Sequence, residues 1–108
     1  MKKGEIWFVE IPGSNGREQR GVRPAVLISE VEGDTIIAVP FTSNLRALKY
    51  PHTLEINPSE GNGLKTISVA LVFQLRAMDI MRLSNKIGDL EEAQMNGIDR
   101  LLMEMLKL

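Results

Sequence analysis

The chain is expected to be mainly β with a C-terminal α-helix (α+β), its strands forming a compact antiparallel sheet or small barrel. Three observations carry this expectation. Short runs rich in branched and aromatic residues follow one another from Glu5 to Leu75. Clusters of glycine, proline, asparagine and aspartate separate them. After Asp89 the periodicity becomes helical, with Leu90, Ile98, Leu101, Leu102 and Met105 on one side. Strands in succession, followed by a single helix, favour an antiparallel layer over a parallel sheet with helical crossovers.

Glu5–Ile11 is the first expected strand, ended by the turn formers of residues 12–16. Residues 24–31 form the second, around the apolar run Ala25-Val26-Leu27-Ile28. Glu32-Gly33-Asp34 makes a tight connection to a third strand, residues 35–41, so these two are expected to form a hairpin. Pro40 has no N–H to give to a ladder, which predicts an edge position or a bulge. Thr53–Ile56 alternates polar and apolar residues, the pattern of a half-buried strand. Residues 57–65 form a loop. Residues 66–75 are nearly continuously apolar and predict a buried central strand, which makes Phe73 a core residue, with base stacking as the alternative role. Asp89 followed by Glu92 resembles a capping box and places the helix start at Asp89. Gly97 inside that helix costs about 1 kcal/mol against alanine and points to close packing. There is no internal repeat and no low-complexity segment.

Length and composition narrow the function. The 108 residues form one domain, 1–108, and 44% hydrophobic with 25% charged residues is a globular composition. Without cysteine there is no disulfide, thiolate metal site or cysteine nucleophile, in keeping with a reducing cytoplasm. No run of about 7–15 apolar residues follows Lys2 and Lys3, so no secretory signal is expected. No run approaches the roughly 18 apolar residues of a membrane span. The expectation is a soluble cytoplasmic protein that does not engage a membrane. His52 is the single histidine, beside Pro51 in a loop, and is expected to be a plain surface residue. A zinc site needs three or four clustered ligands, and no such spacing occurs. A phosphate-binding glycine loop, a dinucleotide fingerprint and a nucleophile elbow are all absent from the sequence. Neither cofactor nor metal is expected.

The net charge of −1 is unlike that of dedicated nucleic-acid binders, but its distribution is uneven. Residues 17–23 carry Arg17, Arg20 and Arg23 against Glu18, whereas residues 89–108 carry five acids against Arg100 and Lys107. A near-neutral total can therefore hide a polyanion site, although charge segregation is common in soluble proteins. Pro24 biases Arg23 towards an extended backbone at the mouth of a strand, where a guanidinium fork can meet phosphate oxygens. Thr42-Ser43 at one strand end, and Gln74 and Arg76 around another, complete the polar candidates. Each has a structural alternative: an Arg-Pro that merely opens a strand, and a Thr-Ser turn that caps its own backbone.

In order and spacing, several segments resemble the MazF/PemK/Kid toxins. They are Gly4-Glu5-Ile6-Trp7-Phe8-Val9, Glu18-Gln19 with Gly21-Val22-Arg23-Pro24-Ala25-Val26-Leu27-Ile28, Pro40-Phe41-Thr42-Ser43, Ser68-Val69-Ala70-Leu71, and Gln74-Leu75-Arg76-Ala77-Met78-Asp79. Gly88-Asp89-Leu90 and Ile98-Asp99 continue the likeness, which covers almost the whole chain. The resemblance implies an SH3-like curled antiparallel sheet or barrel, of the kind shared with the gyrase toxin CcdB, and a homodimer. It implies the toxin of a type II toxin–antitoxin pair: a metal-independent, sequence-specific endoribonuclease that cuts single-stranded RNA. It further implies an antitoxin whose disordered tail covers the RNA groove and through which alone DNA is met. The catalytic arginine of the family falls on Arg23 and its threonine or serine on Thr42. Arg17, Glu18, Gln19, Arg20, Ser43, Gln74 and Arg76 fall in the RNA-binding positions. The implied chemistry is attack by the substrate 2′-hydroxyl, giving 2′,3′-cyclic phosphate and 5′-hydroxyl ends.

Two positions depart from the family. Phe73 stands where many members carry an aspartate or glutamate before the glutamine, and Arg17 stands where some carry histidine. Arginine is a poor base, with a pKa above about 12, so Glu18 is the nearest remaining carboxylate. The sequence leaves two other functions open: a catalytically weak relative that binds RNA or antitoxin without efficient cleavage, and a CcdB-like gyrase poison, which the Arg23/Thr42 pair disfavours.

Overall fold

A computed structural model describes residues 1–11 and 21–108. Seven strands, three short 3-10 helices and one α-helix make up these residues. The strands are β1 (Glu5–Ile11), β2 (Gly21–Leu27), β3 (Thr35–Thr42), β4 (Thr53–Ile56), β5 (Ser68–Leu71), β6 (Arg76–Asp79) and β7 (Leu83–Asp89), followed by α1 (Glu92–Leu106). All pairings are antiparallel. The sheet runs β4-β5-β3-β2-β1-β7, with β6 also pairing β3. Among the described residues it does not close, so of the two expected architectures these residues adopt the curled open sheet. Among the described residues no helix is long and apolar enough to cross a membrane.

β1 lies between β2 and β7 and buries Ile6, Val9 and Ile11. Its ladder to β7 shifts register twice, between Ile6 and Trp7 and between Phe8 and Val9. Such irregularities bend a strand and increase its twist. The β2–β3 hairpin forms as expected: Glu32 and Thr35 exchange backbone hydrogen bonds of 2.8 and 2.9 Å across Gly33-Asp34. β2 starts three residues before the expected position, because Gly21, Val22 and Arg23 pair with Ile11, Glu10 and Val9.

Pro40 is on neither an edge nor a bulge. It sits in a central strand, opposite Ala25 of β2. The Ile28 N–H donates to the Ile37 carbonyl at 2.9 Å. In an antiparallel ladder hydrogen-bonded and non-hydrogen-bonded pairs alternate, so the Pro40 nitrogen faces away from β2. On that side β3 changes partner: residues 35–38 pair with β6, whereas Phe41 and Thr42 pair with β5. Val39 and Pro40 occupy the gap, where a missing N–H costs no ladder bond.

The strand expected over residues 66–75 is broken opposite this gap. β5 ends at Leu71, a 3-10 helix takes Val72–Gln74, and β6 begins at Arg76. Val72 is fully buried while Phe73 is 37% exposed, which corrects the expectation of a core phenylalanine. Apolar continuity cannot tell one long strand from two short ones joined by a tight turn.

The helix start also differs. Asp89 ends β7, a strand not anticipated from the sequence, and its carboxylate lies 3.2 Å from Lys86 Nζ. Glu91 takes the N-cap position without a side-chain cap bond. Its carboxylate instead holds the 57–65 loop: Oε2 accepts from Ser59 Oγ, and Oε1 accepts from Asn62 Nδ2 at 3.3 Å. Asn62 is fully buried; its Oδ1 accepts from the Ser59 and Leu64 amides at 3.0 and 2.9 Å, and its Nδ2 also donates to the Asn57 carbonyl. The loop lies directly on β7 because Gly63 and Gly88 lack side chains. A Cβ at Gly88 would stand 2.4 Å from the Asn62 carbonyl carbon, and one at Gly63 2.0 Å from the Ile87 oxygen. α1 then packs Ile98, Leu101, Leu102 and Met105 on the core around Ile6, Val26, Phe41 and Val72. Gly97 permits the close approach of Leu54, as its presence in a helix implied.

The loop clamp generates a stability prediction. Asn62→Ala leaves the buried Leu64 amide and the part-buried Ser59 amide without their acceptor and should lower unfolding free energy by on the order of 2–3 kcal/mol in urea titrations. The Ser59 hydroxyl, above all, holds the Glu91 carboxyl below its ordinary value of 4.5. A carboxylate depressed in the folded state stabilises above the unfolded pKa, and that contribution is lost as pH falls through the folded value. Glu91→Gln should therefore flatten the decline in urea midpoint below about pH 5; an unchanged pH slope would show that Glu91 is not linked to folding.

Candidate active site

Arg23 is the third residue of β2, opposite Val9, and Pro24 follows opposite Phe8. Thr42 is the last residue of β3. The two line a common boundary between two cavities. The first, about 660 Å³, is walled by Arg23, Thr42, Tyr50, Phe73, Gln74 and Arg76, among others. The second, about 500 Å³, lies on the other side and is walled by Arg23, Thr42, Ser43, Lys65, Thr66 and Ser68 with the apolar Phe8 and Ile87. The β3 partner change builds the first cavity, since the 3-10 helix Val72–Gln74 stands across from Pro40 and Thr42. The clamped loop builds the second, by holding Gly63, Leu64, Lys65 and Thr66 against β7.

The electrostatics are one-sided. Arg23 and Arg76 face the first cavity, Arg23 and Lys65 the second, and none of the described lining residues is a carboxylate or a histidine. Burial draws the Arg23 guanidinium below its ordinary pKa, yet guanidinium stays charged at neutral pH. Partial desolvation strengthens the pull of that charge on an anion. Thr42 is mostly buried, and its Oγ1 accepts from the Asn44 N–H at 3.2 Å. The turn-capping alternative thus holds, and it leaves the hydroxyl proton free to donate. The cap bond fixes the oxygen that would present that proton.

Of the residues expected at the site, the structure gathers Arg23, Thr42, Ser43, Gln74 and Arg76 around the two cavities. Arg17, Glu18, Gln19 and Arg20 lie outside the described residues, as do the turn formers of residues 12–16; Ile11, just before that segment, lines the first cavity. Tyr50, Asn44, Lys65 and Thr66 were not anticipated. Tyr50 is the single tyrosine and follows a basic residue, a weak signal; nothing in the sequence marks Lys65 apart from its place in a glycine-rich loop. His52 is half-buried, with its Nε2 3.8 Å from Glu104, and lies at neither cavity. Among the described residues there is no cluster of three or more histidine, cysteine, aspartate or glutamate side chains.

Comparison with known proteins bears on this geometry. MazF from Deinococcus radiodurans has the same fold, with a TM-score of 0.80 at 23% identity, covering 100% of this chain and 97% of that one. An endoribonuclease from a mycobacterial species, in complex with its cognate antitoxin, gives a TM-score of 0.72 at 20% identity, covering 100% and 94%. Endoribonuclease EndoA of Bacillus subtilis (strain 168) is 32% identical over 112 residues, spanning all of this chain and 96% of that protein. Residues 2–106 match the family model described as the PemK-like, MazF-like toxin of type II toxin-antitoxin system, and the chain belongs to that family.

Proposed function

We propose that this toxin is a metal-independent, sequence-specific endoribonuclease that cuts single-stranded RNA at the phosphate held between Arg23 and Thr42. The observation that carries the proposal is the shared boundary: two cavities of nucleotide size meet at a cation and a hydroxyl donor. A phosphodiester crossing that boundary places one neighbouring nucleotide in each cavity. The cleavage step joins the 2′-oxygen to phosphorus and breaks the bond to the 5′-oxygen. The 2′-hydroxyl loses a proton and the 5′-oxygen gains one, so a 2′,3′-cyclic phosphate and a 5′-hydroxyl result. Arg23 stabilises the charge that develops on the non-bridging oxygens, and Thr42 donates a hydrogen bond to one of them. Ser43, Gln74 and Arg76 bind the flanking RNA, together with Arg17, Glu18, Gln19 and Arg20. Membership of the family supports a homodimer in the cytoplasm and an antitoxin whose tail covers the same groove.

One observation favours a second reading, a family member that binds RNA but cleaves it slowly. The described walls hold no carboxylate or imidazole to take the 2′ proton, and by the family resemblance Phe73 stands where many members carry an aspartate or glutamate. Glu18 is then the first residue to test as the proton acceptor.

Cleavage of a long single-stranded RNA should persist in EDTA. Arg23→Ala should lower kcat by about 100–1,000-fold with an unchanged circular dichroism spectrum, and Thr42→Ala should cost less, because its contact is neutral. Wild-type activity in Arg23→Ala would place the site elsewhere. Since Phe73 is 37% exposed at the cavity wall, a carboxylate there reaches water, and Phe73→Asp should cost about 1 kcal/mol through the ring contacts it removes. If a carboxylate there takes part in proton transfer, kcat rises. A folded variant with unchanged kcat would exclude that role at this position.

A further inference from the structure

Two aromatic rings stand at the first cavity where packing alone would not put them. Phe73 is 37% exposed and Tyr50 48% exposed, and their centroids lie 5.7 Å apart at 51°. Both line the cavity that also holds Arg23, Thr42, Gln74 and Arg76. Lys49 Nζ lies 5.2 Å from the Tyr50 centroid, so this ring is capped by a cation. Neither ring hangs on loose chain. Val72, beside Phe73, is fully buried, and the Leu75 N–H closes the turn on the Val72 carbonyl at 3.1 Å. The Tyr50 N–H likewise donates to the carbonyl of buried Ala47 at 3.1 Å.

We propose that Phe73 and Tyr50 form a nucleobase-stacking platform beside the scissile phosphate, so that the residue at the family's acidic position serves substrate binding. This deepens the proposed function and rests on it. A base next to the phosphate needs an apolar surface within one nucleotide of Arg23, and these rings are the aromatic surface lining that cavity. Their backbones are already fixed, so stacking orders little of the protein. Every base has a π-face, so the platform binds without strict choice of base, and the amide of Gln74 beside it can read a base edge. A paired base in a duplex is already stacked on both faces and cannot use the platform, which gives a physical cause for single-strand preference.

The test uses short single-stranded RNA oligonucleotides, 2′-O-methylated to block cleavage, with affinity read by fluorescence anisotropy. Phe73→Ala and Tyr50→Ala should each weaken binding by about 5–150-fold, and Phe73→Trp should restore it. Placing one abasic nucleotide at each position in turn should reveal one position that weakens the wild type by a similar factor but weakens Phe73→Ala no further, the signature of a shared contact. Equal losses in both proteins at every abasic position would overturn the platform. So would a Phe73→Ala variant that keeps its RNA affinity, and a changed mass in light scattering would then assign the rings to a protein interface. Cleavage of unmodified RNA is read separately. A wild type that binds through the rings but never cuts would remove the enzymatic reading and leave the platform standing.

Discussion

The site depends on a single change of partner in the middle of the sheet. β3 gives its first half to β6 and its last two residues to β5, and Val39 and Pro40 lie between. A proline there forbids a continuous ladder on that side, because its nitrogen faces the gap and cannot donate. The chain opposite has no bond to complete and turns outward as a 3-10 helix, burying Val72 and projecting Phe73 and Gln74. Continuous pairing of β3 with one long strand would fill the space that the first cavity occupies. The hollow follows from backbone hydrogen-bond accounting, before any functional side chain is considered.

What lines the hollow is set by register. β2 carries Arg23 beside the cavity because Gly21, Val22 and Arg23 extend the ladder to β1 past Pro24. β3 ends at Thr42, whose hydroxyl oxygen is tied to the Asn44 amide. Among the described residues several acidic groups are engaged elsewhere: Glu5 with Trp7 and Lys86, Glu10 with Arg82, Asp99 with Lys3, and Glu91 with the loop. For Glu5, burial pushes the carboxyl up, but the indole hydrogen bond, a backbone hydrogen bond from Lys2, Lys86 and the N-terminus together hold it below its usual value. The described cavity walls are left to arginine, lysine and neutral groups, so Arg23, Arg76 and Lys65 set a local positive field there within a near-neutral chain.

Much of this arrangement was legible in the sequence. The strand-rich order, the β2–β3 hairpin and the apolar face of α1 followed from local pattern, and the motif residues Arg23, Thr42, Ser43, Gln74 and Arg76 do gather around one groove. The misreadings share a cause: the deciding contacts are long-range. Residues 66–75 are apolar throughout, and only the gap beside Pro40 tells where that run must break. Asp89 has the spacing of a helix cap, but strand pairing with Glu5 claims it. β7 is polar enough to pass for loop and is defined by its register on β1. The Asn62 hub and the Lys65 wall arise from a loop folding onto β7, for which the sequence offers only scattered glycines.

In the proposed reaction the nucleophile belongs to the substrate and the protein positions charge around it. Arg23 and Thr42 would then serve a phosphorane, with no protein nucleophile or bound water to align. The ends of the cleaved RNA record which of these occurred. Mass spectrometry of the two fragments from a single mapped cut is therefore the most direct test. Attack by the 2′-hydroxyl leaves a 2′,3′-cyclic phosphate on the upstream fragment and a 5′-hydroxyl on the downstream one, and these are the expected ends. A 5′-phosphate with a free 3′-hydroxyl would mean that water, and not the 2′-hydroxyl, attacks the phosphorus, and would contradict the proposed reaction.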